Sequence, residues 1–274
     1  MRSLLLCALA AHMAWHTATL GAQRPPTYTR GPDTLRFHEV SSSEIAVETP
    51  KGLVQVGADH DAVVAVTFGK DATASAWYDS LAIGVRSPTG NMRPETGDAL
   101  HQAFTLRFDA RGRVRTVATP KFPESLRGVA DLRLQFDDFF LRLPAQTLRI
   151  GLTWTDTVES THGATTTRRT TSRRIIRYEV LRDTTVNGIA ALVIGTRQAL
   201  RIVASQPVDH QPLTAHSAFA GNDEGIFVFA PALGRLLGRR RSGAMTGEIR
   251  YTGGPQPLTL GQRMTYTSAI DARP

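Results

Sequence analysis

The side chains that could do chemistry in this 274-residue chain are scattered, and the clustered ones are mostly arginine. Nucleophilic catalysis needs a serine or cysteine with a base beside it. No G-x-S-x-G elbow occurs, and the single cysteine, Cys7, lies in the first ten residues. Metal binding needs converging ligands. Asp59-His60-Asp61 is the nearest local cluster, with His210 and His216 far along the chain. Read as a turn, those aspartates bond their own backbone, so no metal site is expected. Asp137-Asp138 is an acidic pair, but neighbours on a helix point about 100° apart and cannot form a carboxylate dyad. No Walker or dinucleotide glycine pattern occurs, so no nucleotide cofactor is expected. No catalytic residue is assigned, and the chain reads as non-catalytic.

The basic clusters are Arg168-Arg169, Arg173-Arg174-Arg177 and Arg239-Arg240-Arg241. Lysine is confined to Lys51, Lys70 and Lys121, a ratio that arginine-rich codon usage explains. The net charge of +8 is a separate matter and favours acidic partners. Guanidinium forks onto phosphate and carboxylate. On a strand, Arg169, Arg173 and Arg177 recur at every second same-face position. They are the candidate contact for an anionic lipid or glycan surface. Nucleic acid is not an expected partner, because the chain reads as exported.

That reading comes from the start of the chain. Residues 1–22 have a short basic start, an apolar run from Leu4 to Trp15 and small residues after it, as a secretory signal does. Cys7 comes too early for a lipoprotein signal and would leave with the segment. The mature chain would then have no disulfide and no thiolate ligand. Residues 23–33 read as an extended leader, and residues 34–274 as one β-rich domain. No later apolar run is long enough for a membrane helix. A transmembrane β-barrel would carry aromatic girdles, and the chain is only 7% aromatic. The expected location is the periplasm or outside the cell.

Most of the chain alternates apolar and polar residues with period two, the mark of half-buried strands. Turns are expected at Pro50-Lys51-Gly52, Asp59-His60-Asp61, Asp109-Ala110-Arg111-Gly112, Asn187-Gly188, Asp223-Glu224-Gly225 and Ser242-Gly243. Asn187-Gly188 is the strongest of these. On the long strand before it, over 166–183, Ile176, Tyr178 and Val180 share a face with Arg174. Arg169, Arg173, Arg177 and Glu179 take the other. Trp77, Leu81, Ile83 and Val85 are expected to share a face. One stretch breaks the pattern. Val129, Leu132, Phe136, Phe139, Phe140 and Leu143 recur at threes and fours, which predicts an amphipathic helix over 124–142, ended by Pro144.

The expected fold is mainly β: a long, curved antiparallel sheet, half-barrel-like, with that helix on its concave face. If the helix lids a groove, Trp77, Phe136, Phe139, Phe140 and Trp154 would line it for a lipid-like or other apolar ligand. If the interface is closed, the protein is a structural or interaction module. A hydrolase is the remaining alternative. The layout resembles the periplasmic lipoprotein carriers, in which a curved half-barrel wraps over helices and holds acyl chains. It also resembles uncharacterised exported bacterial proteins with a P-x-x-x-L-x-x-G-x-x-W element, here Pro144, Leu148, Gly151 and Trp154. The resemblance implies lipid binding and carries over no site residue.

Overall fold

A computed structural model describes residues 25–29, 31, 33–69, 71–122, 126, 136, 138–163, 169–208 and 211–273. The predicted signal segment lies outside them. Among the described residues twelve strands follow one another: β1 (Leu35–Thr49), β2 (Gly52–Phe68), β3 (Thr73–Ser87), β4 (Gly90–Met92), β5 (Phe104–Phe108) and β6 (Val114–Ala118). Then come β7 (Thr153–His162), β8 (Arg169–Val186), β9 (Ile189–Pro207), β10 (Thr214–Ala230), β11 (Arg235–Thr252) and β12 (Leu258–Arg273). They form one open antiparallel sheet in the order β6-β5-β3-β2-β1-β12-β11-β10-β9-β8-β7, with β4 beside β3. The mainly β expectation holds.

The sheet is strongly curved. Strands β5 and β10 stand six positions apart, which in a flat sheet would be roughly 29 Å at about 4.8 Å per step. Yet Phe108 of β5 and Phe229 of β10 both meet the ring of Tyr28, at 5.2 and 5.3 Å between centroids. Glycine permits part of this bending. On the concave face of β10 and β11, large residues face glycines: Phe219 opposite Gly247, Met245 opposite Gly221, Asp223 opposite Gly243 and Arg241 opposite Gly225. A Cβ at Gly243 would collide with Asp223 and the Tyr266 ring, and one at Gly225 would collide with Arg241. Each large side chain thus lies across a neighbouring glycine, as close backbone approach in a strand requires.

No α-helix occurs among the described residues. Of the predicted helix, residues 124–125, 127–135 and 137 lie outside them. Phe136 and residues 138–142, which are described, form turns and irregular chain. A short-range bond, Phe139 N–H to Phe136 O at 3.4 Å, marks this corner. Then Leu143 N–H donates to Arg111 O at 2.8 Å. The stripe misled because Phe136, Phe139, Phe140, Leu141 and Leu143 are all buried, consecutive ones included. A segment enclosed on every side needs no polar face, so apolar spacing carries no helical information there. Part of the expected leader reaches the core: Tyr28 is buried and its hydroxyl donates to Leu141 O at 3.0 Å.

Three expected turns are strand interior. Asp59-His60-Asp61 runs through β2, Asp223-Glu224-Gly225 through β10 and Ser242-Gly243 through β11. Trp77 does not share a face with Leu81 and Ile83. A bulge opposite Val63 and Val64 adds one residue to β3 near Asp79. It places Tyr78 and Leu81 inward and Trp77 outward.

Candidate functional site

The hairpin of β8 and β9 turns on Asn187 and Gly188, with φ of 50° and 78°. Positive φ at both positions is what a two-residue type I′ turn demands. The register that follows is interrupted once, by a bulge between Val180 and Arg182. Beyond it, Arg177 stands opposite Arg197 and Arg173 opposite Arg201. All four are exposed on the outer face, as is Arg169, which lies opposite Ser205. Like charges directly opposite one another destabilise a sheet pair. Arg173 is partly relieved by Glu159 of β7, 3.2 Å away. Among the described residues, Arg177, Arg197 and Arg201 have no carboxylate at ion-pair distance. Glu224 is the register partner of Arg197 on its other side, and Glu179 follows Arg177 on the same face.

Arg197 and Arg201 were missed in the sequence. Counting back from the turn without the bulge puts Gln198 opposite Arg177, and the paired arginines disappear. Leu181, the extra residue, has no type or spacing that announces it.

The concave face has its own charges. Asp138 lies 3.0 Å from Arg174 and 2.5 Å from Arg241. Arg241 also reaches Asp223, which accepts from the Tyr266 hydroxyl and from Gln198 Nε2 at 2.9 Å. Arg239 donates to the Asp138 carbonyl at 2.9 Å and to Ser268 at 3.0 Å, and lies 3.7 Å from Glu39. Its guanidinium also stands 5.7 Å from the centre of the Phe139 ring. Burial would raise the Asp138 pKa, but Arg174, Arg241 and Arg239 outweigh it and hold the carboxyl well below its usual range. Burial raises Tyr266, and the carboxylate of Asp223 adds to it. These groups neutralise one another.

The proposed apolar groove residues are divided. Phe136, Phe139 and Phe140 are fully enclosed, in edge-on ring contacts with Phe37, Phe104 and Phe108 between 4.9 and 6.0 Å. Trp154 faces the same side from β7, stacked on Tyr178 at 4.8 Å, with its N–H on Arg142 O at 3.0 Å. Trp77 stands outside, donating to Asp79 at 2.8 Å. In the Asp59-His60-Asp61 run, alternation sends His60 inward while Asp59 pairs with Arg86 and Asp61 with His38. No group of three metal-type ligands converges among the described residues.

No family model matches the chain, and no curated protein does. Among solved structures, it is similar to OmpT (in-vitro folded), an outer membrane protein of Vibrio cholerae. That match has 11% identity and covers 88% of this chain and 97% of that one, with a TM-score of 0.19. A superposition that loose supports no inference about fold or activity. The chain is therefore characterised by its own geometry: an open, curved β-sheet around a closed aromatic core, with facing arginines on its outer wall.

Proposed function

We propose that this is an exported, non-catalytic interaction protein that presents the outer face of β7–β9 to an anionic surface. The observation that carries the reading is the double cross-strand pairing of Arg173 with Arg201 and Arg177 with Arg197. Four guanidinium groups held on one rigid face offer forked donors to phosphate or carboxylate groups displayed in a row. A bound anion would relieve the repulsion that the pairs now carry. Lipid headgroups and acidic glycans share this chemistry.

The enclosed packing of Phe136, Phe139 and Phe140 favours a scaffold core over an inner acyl-chain groove. The outer wall also carries Arg173, Arg177, Glu179, Arg197 and Glu224 in mid-strand. Those are positions that a lipid-facing barrel wall keeps apolar, which supports a wall in contact with water. The test is cosedimentation with vesicles, neutral or containing phosphatidylglycerol, and with an acidic polysaccharide in parallel. Binding to either anionic partner should fall with salt, because exposed charges are screened over about 8 Å at 0.15 M. A variant with Arg173, Arg177, Arg197 and Arg201 all changed to Ser should lose it. Undiminished binding by that variant at low salt would overturn the proposal.

A further inference from the structure

A groove of about 700 Å³ runs across the outer wall beside the arginine pairs. It touches β8, β9, β10, β11, β12 and β1 at one level, from Arg177 and Leu181 through Arg197 and Ile226 to Ala269 and Val40. Five interstrand steps of about 4.8 Å make it roughly 24 Å long. A single small anion needs no such length. Three of the exposed large apolar side chains are spaced along it: Leu181 at 45% exposure on β8, Ile226 at 39% on β10 and Val40 at 43% on β1. Exposed apolar side chains lining a groove with polar edges are a usual mark of a binding site.

The groove is also polarised. At the β8–β9 end, Arg177 and Arg197 face each other with no ion-paired carboxylate among the described residues. In the middle, Arg240 is neutralised by Asp271 at 2.7 Å. At the β12–β1 end, the lining is Thr267, Ala269, Val40 and Ser42 and carries no charge. Glu179 and Glu224 flank the cationic end and bias it against a second negative charge on the ligand.

From this we infer that the groove binds a single-chain anionic amphiphile, its one negative head between Arg177 and Arg197 and its chain across Ile226 toward Val40. The inference shares two arginines with the surface proposed above but needs neither Arg173 nor Arg201. It requires a free, monomeric ligand rather than a bilayer.

Isothermal titration at low salt with dodecanoate, kept below micelle formation, tests it. Acetate supplies the head alone, and dodecyltrimethylammonium supplies the chain with the opposite charge. Dodecanoate should bind one to one, and the two controls at least tenfold more weakly. Leu181→Asn and Ile226→Asn, which remove apolar surface without adding charge, should each weaken dodecanoate at least tenfold while leaving vesicle binding intact. Both sites are exposed, and an unchanged thermal melt verifies the fold. Arg173→Ser with Arg201→Ser should do the reverse, weakening vesicle binding and sparing dodecanoate. Equal binding of the cationic amphiphile, or indifference to both asparagine variants, overturns the inference. So does binding to anionic vesicles with no response to monomeric dodecanoate, which would leave only the surface reading.

Discussion

Arg173 and Arg174 are neighbours in one strand, and they live by opposite rules. Arg174 points to the concave side and meets Asp138 at 3.0 Å. Arg173 points outward, across from another arginine. Arg239 and Arg241 likewise point inward, while Arg240 between them points outward and pairs with Asp271 at 2.7 Å. The cause is dielectric. A buried charge without a partner costs several kcal/mol, so each inward arginine is matched to a carboxylate. An exposed arginine keeps its water and tolerates a like neighbour at a cost of tenths of a kcal/mol. Inward charges are therefore committed to the fold, whereas the outward Arg177, Arg197 and Arg201, with no carboxylate at ion-pair distance among the described residues, are open to a partner.

The sharpest way to break this contrast is to remove an inner acid. The Asp223 side chain is 2% exposed and serves Arg241, Tyr266 and Gln198. Asp223→Ala should cost about 3–5 kcal/mol in urea unfolding, as stranding a buried charge does. Removing exposed Glu224, its neighbour, should stay within about 0.5 kcal/mol. Equal losses at the two sites would mean that the inner network is wet and the contrast false.

The next effect concerns the turn that sets which arginine faces which. Gly188→Val places a β-branched residue at a φ of 78°, a strain of about 1–3 kcal/mol. Coinciding urea midpoints would contradict the turn geometry. Should the register also slip, vesicle binding would fall further than stability.

This turn was legible because Asn-Gly has a local conformational meaning. So was the split of β8 into Arg174 with Ile176, Tyr178 and Val180 against Arg169, Arg173 and Arg177, because a strand's period survives any context. Gly225 and Gly243 were misread as turn markers. They are glycines because Arg241 and Asp223 lie across them from the next strand, a reason that becomes visible only once register is known. The aromatic segment at 136–143 was misread for a related reason: a chain buried all round has no face to reveal. The inner ion cluster draws on Glu39, Asp138, Arg174, Asp223, Arg239 and Arg241, and no local pattern joins residues so far apart.

A smaller effect should appear with pH. Burial lowers the pKa of inward-facing His60, while Glu39 and Asp61 oppose that shift and Tyr78 packs at 6.2 Å. The folded state thus binds the proton less well than the unfolded chain, whose imidazole titrates near 6.5. Stability contributed by His60 should be complete above about pH 6.5 and fall as pH drops below it. His60→Asn should flatten that part of the profile. A slope unchanged by the substitution would assign it to other groups.

The smallest effect has the opposite sign and tests the outer side of the contrast directly. Arg201 faces Arg173, and Arg173 already has Glu159 on its far side. Arg201→Ser removes one of two repelling charges and leaves the ion pair in place. A gain of about 0.2–1 kcal/mol is therefore expected at low ionic strength. Because both groups are exposed, the gain should fade toward 1 M salt, where screening acts within about 3 Å. The same variant should bind anionic vesicles more weakly. A protein that becomes more stable as it loses binding has been carrying repulsion that its partner relieves. If Arg201→Ser instead destabilises the fold at every salt concentration, Arg201 is held by the protein itself, and the outer arginines are no freer than the inner ones.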